Sequence, residues 1–243
     1  MKKYYSLSQY PGTTGQYYYN WFFNEYNIDA YYSPIGCEID EFNDRILYLL
    51  SLPETMGISI SMPYKQKSVN YCNNISDDVV TYGICNTIVK QDDLIVAYNC
   101  DLAGVRNISS QINKDSTISI LGDGAIGKMF YQYLTLHKYH EVTMYSRKHL
   151  NWEDRHNDAD VIINCTALGT INTQSPLQFI PNSANMIIDL SMKEGNLAKQ
   201  CFNSNKRYIG GIEFYCYQFL DQFNKYTNFN ITKNEFNNAT IQR

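Results

Sequence analysis

The sequence predicts an α/β fold in two parts, an N-terminal α/β domain and a compact, doubly wound Rossmann-type domain. Three observations lead there. Short apolar runs alternate with helically spaced apolar positions along most of the 243 residues, as in strand–helix–strand units built on a parallel sheet. The run Ile118-Ser-Ile-Leu121 leads into Gly122-Asp-Gly-Ala-Ile-Gly127, a glycine turn between a strand and a helix. The length suits one large domain or two small ones and is ample to bury a core.

In the N-terminal half, residues 16–26 form an aromatic-rich helix and 30–35 a strand. Phe42, Ile46, Leu47 and Leu50 repeat at helical spacing, which predicts a helix over 40–50. Residues 58–61 are a short strand stopped by Met62-Pro63, where proline suits the first turn of a following helix. Residues 87–89 and 94–98 flank Gln91-Asp-Asp93 as a hairpin, and 102–112 make a helix joining the two domains. The second half predicts strands over 118–121, 141–145, 161–164 and 186–190, and an amphipathic helix over 125–136. The stretch between Arg147 and the third of these strands is too short and polar for a full helix–strand unit, so the domain is compact. A final helix over 213–223 follows Gly210-Gly211.

Composition removes several function classes. The net charge is −4 and the basic residues are scattered, so neither nucleic acid nor an anionic membrane surface is recruited. The seven cysteines contain no CxxC pair and no metal-ligand spacing, which fits a reducing cytoplasm without disulfides or a metal. No run reaches the ~18 apolar residues of a membrane span, and the start lacks the apolar core of a signal peptide. The expectation is a soluble, cytoplasmic protein. The 22 tyrosines are read as compositional bias and given no weight.

Four segments carry chemistry. In Gly122-Asp123-Gly124-Ala125-Ile126-Gly127 the glycines permit a tight turn, close approach of a pyrophosphate and close helix–strand packing, and the helix N-terminus adds partial positive charge. Dinucleotide selectivity is set at the end of the next strand, roughly 20 residues on. That place reads Tyr145-Ser146-Arg147-Lys148, where a hydroxyl and two cations suit a 2′-phosphate and so favour NADP over NAD. The alternative is an ordinary solvated basic turn. Lys65, at a strand-to-helix junction, and Asp101, in Asn99-Cys-Asp101, are unremarkable singly. Together they are more informative: a lysine within hydrogen-bond reach of an alcohol can serve as general acid/base, and a neighbouring carboxylate can orient it.

With these motifs in order, the chain resembles the shikimate dehydrogenase family over nearly its whole length. Gly57-Ile-Ser-Ile-Ser-Met-Pro-Tyr-Lys65 is similar to the family's Gly-x-Asn-Val-Thr-x-Pro-x-Lys, Gly83-Ile-Cys-Asn86-Thr87 to Gly-Ala-Val-Asn-Thr, and Asn99-Cys-Asp101 to Asn-Thr-Asp. Ser6-Leu-Ser8, Asn164-Cys-Thr166 and Gln218 have family counterparts too. The longer entry segment through Asn20 and Ser61-Met-Pro-Tyr-Lys65 look like the shikimate-dehydrogenase-like subgroup.

The resemblance implies a substrate domain of residues 1–103 with 212–243 packed back on it, an NADP domain over 104–211, and an active site in the cleft between them. It implies that Lys65 exchanges the proton of the reacting hydroxyl, with Asp101 beside it. Ser6 and Ser8 would hold a carboxylate, Ser61, Asn86, Asp101 and Gln218 ring hydroxyls, and Thr166 and Gly211 would join the glycine loop and 146–148 around NADP. The expected protein is a monomer or homodimer whose partner is a small carboxylate, shikimate or a relative. Departures from the pattern are Ser59 for asparagine, Ser61 for threonine, Cys100 for threonine, Met192 for tyrosine and Glu213 for glycine, the last a candidate for crowding the nicotinamide. They leave two rivals open: a dehydrogenase acting on quinate or aminoshikimate, and a nucleotide-responsive binding protein with vestigial catalysis.

Overall fold

Two sheets organise the chain in a computed structural model that describes residues 1–156 and 158–243. They belong to two compact units, Met1–Cys100 with Phe219–Arg243, and Asp101–Gln218.

The first unit holds a six-stranded mixed sheet in the order β2-β1-β3-β5-β6-β4. Its strands are β1 (Lys2–Ser8), β2 (Ala30–Gly36), β3 (Thr55–Ile60), β4 (Asn74–Ile75), β5 (Thr87–Gln91) and β6 (Leu94–Tyr98). β1 runs parallel to β2 and β3, whereas β5 is antiparallel to both β3 and β6. The helices are α1 (Thr14–Glu25), α2 (Phe42–Ser51) and α3 (Asp77–Tyr82). One core cluster gathers Leu7, Phe42, Ile46, Ile58, Ile88 and Ala97, so Phe42, Ile46 and Leu50 of the stripe read from residues 40–50 lie on the buried face of α2, whereas Leu47 is exposed and Leu49 is buried in its place.

A second layer of this unit is aromatic. Tyr19 stacks on Tyr32 at 4.2 Å and Tyr18 on Phe236 at 4.6 Å, while Phe22, Phe219 and Phe223 fill the space between. A buried phenol needs a partner for its hydroxyl. Tyr4 donates to the Tyr226 carbonyl at 2.9 Å, Tyr19 to Gln222 at 2.7 Å, and Tyr18 pairs with Thr240 at 2.9 Å. Dismissing the tyrosines as bias is therefore corrected: several of them are the core, chosen because each combines apolar area with a hydroxyl that fixes its place.

The second unit holds a five-stranded parallel sheet, order β11-β10-β9-β7-β8. The strands are β7 (Thr117–Leu121), β8 (Glu141–Tyr145), β9 (Val161–Asn164), β10 (Met186–Asp189) and β11 (Arg207–Gly210), with helices α4 (Asp101–Ser110), α5 (Ala125–Leu136) and α6 (Asn196–Asn203). β9 and β10 are buried at every position, as expected of parallel strands covered on both faces. Counted along the unit the order is 2-1-3-4-5, a doubly wound sheet whose order reverses between β7 and β9. Among the described residues the connection between β8 and β9 holds one 3-10 turn, Trp152–His156. The predicted compactness has its cause there.

Several elements differ from the sequence reading. The last predicted helix is α7 (Gly211–Thr227), and it is not final: α8 (Lys233–Ile241) follows, opened by a capping box between Thr232 and Glu235. β1, α3, α6 and β11 were not foreseen. After Pro63 there is a 3-10 turn over Lys67–Tyr71.

Candidate active site

Strand direction assembles one site in the first unit. β1 and β3 end at the same sheet edge, β5 starts there because it is antiparallel to β3, and β6 returns there. Backbone bonds lock these ends together: Ser61 N–H donates to Leu7 at 3.0 Å, Ile60 to Asn86 at 2.7 Å, Asn86 to Tyr98 at 3.2 Å, and Cys85 to Lys65 at 2.9 Å. Four residues singled out in the sequence, Ser8, Ser61, Lys65 and Asn86, are thereby gathered at one edge. Ser8 and Asn86 are buried, Lys65 is half-buried and Ser61 exposed. Ser6 lies two residues back in β1.

The turn carrying Lys65 is fixed from behind. Tyr64 stacks on Phe42 at 4.3 Å and donates to the Cys37 carbonyl. Burial pushes the Tyr64 phenol up, so it stays a donor. The Ser68 hydroxyl lies 3.2 Å from both the Lys65 and Cys85 carbonyls. Asn86 is held as firmly. Its Oδ1 accepts from the Cys100 N–H at 2.8 Å and the Thr87 hydroxyl at 2.7 Å. Its Nδ2 is buried and has no hydrogen-bond partner among the described residues. The sequence reading missed Gln222, whose Nε2 reaches Thr87 at 2.5 Å and the Asn86 carbonyl at 3.3 Å. Its spacing of four from Gln218, on the same helical face, was the available signal.

The second unit carries a cavity of about 500 Å³ at the carboxyl ends of β7, β8 and β9, where doubly wound sheets bind ligands. Gly122, Asp123 and Gly124 form one wall, Ser146, Arg147 and Lys148 a second, and Thr166 lies on a third with Cys165 and Leu168. Ala125, Ile126 and Gly127 lie in the first turn of α5 behind that wall.

The three glycines are there for different reasons. Gly122 has φ +102°, and a Cβ on it would lie 2.8 Å from the Thr166 methyl. A Cβ on Gly127 would lie 2.0 Å from the Gly122 carbonyl oxygen, so the turn closes only on glycine. On Gly124, the N-cap of α5, a Cβ would meet nothing within 4 Å. Protein packing does not require that glycine; it leaves the cradle at the helix N-terminus open. Open backbone, helix-end N–H groups and two exposed cations fit the phosphates of a dinucleotide.

The cavity walls are held by hydrogen bonds. Asn151 accepts from the Ser146 N–H at 2.9 Å and donates to the Met144 carbonyl at 3.0 Å, which sets the turn bearing Arg147 and Lys148. The Ser146 hydroxyl accepts from the His149 N–H at 3.2 Å. His149 Nε2 lies 3.9 Å from the Asp123 carboxylate. Thr166 is anchored through its hydroxyl and N–H on Asn164 Oδ1, at 2.7 and 3.1 Å, and Asn164 donates to buried Asp189 at 3.0 Å. Burial pushes the Cys165 thiol up, which keeps it neutral.

The remaining predicted residues lie in the second unit. Asp101 opens α4 and is buried, Gln218 is half-buried on α7, and Glu213 stands in that helix's first turn. Gly211 is pressed on the chain after β10: a Cβ there would lie 2.4 Å from the Leu190 carbonyl oxygen.

Fold and cavity define a two-unit α/β protein with a dinucleotide-type cradle in its parallel-sheet unit. Residues 15–88 match the sequence profile described as the shikimate dehydrogenase substrate binding domain. The chain is 27% identical over 218 residues to a protein named shikimate dehydrogenase (NADP(+)) from Clostridium beijerinckii, covering 80% of each chain. Among solved structures it superposes on a shikimate 5-dehydrogenase-like protein with a TM-score of 0.85 at 19% identity, covering 99% of this chain and 96% of that one. It also matches shikimate 5-dehydrogenase from Thermus thermophilus, solved with NADP(H) and shikimate, with a TM-score of 0.82 at 14% identity over 100% and 99% of the two chains. The matched profile and these relatives are of the shikimate dehydrogenase kind, to which the chain is similar in sequence and in fold. No described helix is long and apolar enough to cross a membrane.

Proposed function

We propose that this protein is an NADP-dependent dehydrogenase that interconverts shikimate and 3-dehydroshikimate. The observation that carries the reading is the gathering of Ser8, Ser61, Lys65 and Asn86 at one sheet edge by strand direction alone. When bound, NADP supplies a hydride acceptor, and NADPH a donor, for the carbinol carbon. Lys65 takes the hydroxyl proton as the alcohol becomes a ketone, and its ammonium returns a proton to the carbonyl oxygen in reduction. Asp101 orients that lysine. Ser6 and Ser8 bind the carboxylate with their hydroxyls, while Ser61, Asn86 and Gln218 bind ring hydroxyls. The glycine turn and Thr166 cradle the cofactor, Gly211 lets the chain pass close to it, and Ser146, Arg147 and Lys148 meet the 2′-phosphate. The same reading places the protein in the cytoplasm as a monomer or homodimer serving aromatic amino acid synthesis.

The test is direct. The purified protein is mixed with shikimate and NADP, NADPH absorbance is followed, and the assay is repeated with quinate and with NAD. Turnover highest with shikimate and NADP is expected. Turnover with quinate alone, or binding of nucleotide with no turnover, would overturn the assignment.

A further inference from the structure

The protein itself fixes the orientation of Asn86, a predicted ligand, and the residues that fix it include Tyr19 and Gln222, which have no assigned role. An asparagine amide has one acceptor oxygen with two lone pairs and one nitrogen with two hydrogens. Both lone pairs of Asn86 Oδ1 are engaged, by the Cys100 N–H at 2.8 Å and the Thr87 hydroxyl at 2.7 Å. Thr87 spends its only hydrogen there, so it must accept from Gln222 Nε2, 2.5 Å away. The other hydrogen of Gln222 Nε2 points to the Asn86 carbonyl at 3.3 Å, and Gln222 Oε1 accepts from the Tyr19 hydroxyl at 2.7 Å.

Donation therefore runs one way, from Tyr19 to Gln222 to Thr87 to Asn86. Turning the Asn86 amide would set its NH₂ against the Cys100 N–H, donor against donor. Turning Gln222 would set its oxygen against the Asn86 carbonyl, acceptor against acceptor. The relay is dry, with Gln222 at 4% and Asn86 at 1% exposure, and water does not compete for its groups. Its end point is the Asn86 Nδ2, buried and without a hydrogen-bond partner among the described residues.

We propose that Gln222, held by Tyr19, is a positioning residue that presents the Asn86 amide as a hydrogen-bond donor to an oxygen of the substrate. The inference rests on the reading of Asn86 as a substrate ligand. An unpaired buried donor is costly to the empty protein, and a substrate hydroxyl that accepts from it relieves that cost on binding. The relay thus favours a ligand offering a lone pair at this point over one presenting only a donor.

The experiment compares Gln222→Glu, Tyr19→Phe, Thr87→Val and the double variant Gln222→Glu/Thr87→Val with wild type in the shikimate–NADP assay. NADPH affinity is measured separately by fluorescence. A carboxylate at 222 accepts from Thr87 and so draws its hydrogen away from Asn86. Loss of one neutral hydrogen bond predicts a KM for shikimate raised about 3- to 10-fold. The kcat and the NADPH dissociation constant should stay within about twofold of wild type. Tyr19→Phe, the mildest change, should raise KM about 2-fold. Because Gln222 acts on the Asn86 side chain through Thr87, the effects of Gln222→Glu and Thr87→Val should be less than additive in the double variant, whereas two separate structural lesions would add. Additive effects, an unchanged KM in both Gln222→Glu and Tyr19→Phe, or an equal loss of NADPH affinity would overturn the inference. Asn86→Ala separates the two claims: if it leaves the shikimate KM unchanged, the ligand reading of Asn86 has failed, and with it the purpose of the relay.

Discussion

Alanine at position 124 should separate cofactor binding from folding. Gly124 has φ −66° and ψ 177°, a conformation open to any residue, and a Cβ there meets no atom within 4 Å. Restricting the unfolded chain stabilises by ~0.4–1 kcal/mol. Alanine is a poorer N-cap than glycine by a comparable amount. These terms oppose each other, so the Tm should move by less than about 2–4 °C. The methyl stands in the cradle at the α5 N-terminus, where phosphates must come close. Crowding there of ~1–3 kcal/mol weakens NADPH binding by roughly 5- to 150-fold. Gly127→Ala is the contrast: its Cβ would lie 2.0 Å from the Gly122 carbonyl oxygen, so the turn must open and both Tm and cofactor binding should fall. Thermal melts without ligand and fluorescence titration with NADPH measure the two quantities. A Gly124→Ala protein that binds NADPH like wild type, or that melts as early as Gly127→Ala, would refute the argument.

Other outcomes follow from the same geometry. Lys65→Ala should reduce turnover by ~10²–10⁴ with NADPH affinity nearly unchanged; steady-state kinetics retaining half the activity would remove Lys65 from the chemistry. Arg147→Ala should weaken NADPH binding about 10- to 150-fold and NADH binding little, since only NADPH offers a 2′-phosphate to a charge-assisted bond. Equal losses in titrations of the two cofactors would make Arg147 structural. Asp123 shares that cavity with Arg147 and Lys148, so Asp123→Ala should tighten NADPH about 2- to 5-fold; weaker binding in the same titration contradicts this. Glu235 accepts from the Thr232 hydroxyl and from Tyr26, and these bonds hold its carboxyl below the ordinary 4.5. With the folded value below the unfolded one, the stabilisation is complete above 4.5 and is lost as pH falls through the folded value. Wild type should therefore lose more Tm than Glu235→Gln between about pH 6 and about pH 3, and parallel losses in the two melting series would contradict it.

What the sequence made legible tracks how local each signal is. β7, β9 and β10 are nearly unbroken apolar runs, and α5 buries Met129, Phe130 and Leu134 at helical spacing. β1 escaped notice because its lysines, tyrosines and serines make no apolar run and its burial does not alternate, and α8 because only Phe236 and Ala239 of its nine residues are buried. Lys65 and Asn86 in the first unit, and the glycine turn in the second, stood in recognisable local patterns. The meeting of Lys65 and Asn86 depends on β5 running against β3, which pairing decides rather than any single segment. Gln222 was hidden for the same reason: its partners Tyr19, Asn86 and Thr87 come from segments more than a hundred residues away.

The short connection after β8 also leaves an open margin. Among the described residues β8 pairs only with β7, so its outer margin, where Asn151 bonds the Met144 carbonyl, has no strand beside it. The strand is five residues long, begins at exposed Glu141 and follows Lys138 and His140, features that discourage pairing with a neighbouring molecule. The same margin is where the sheet can grow. Extra chain between Lys148 and Asp158 can add a strand beside β8 without disturbing β7, β9 or the glycine turn, so this is the position at which insertions cost the domain least.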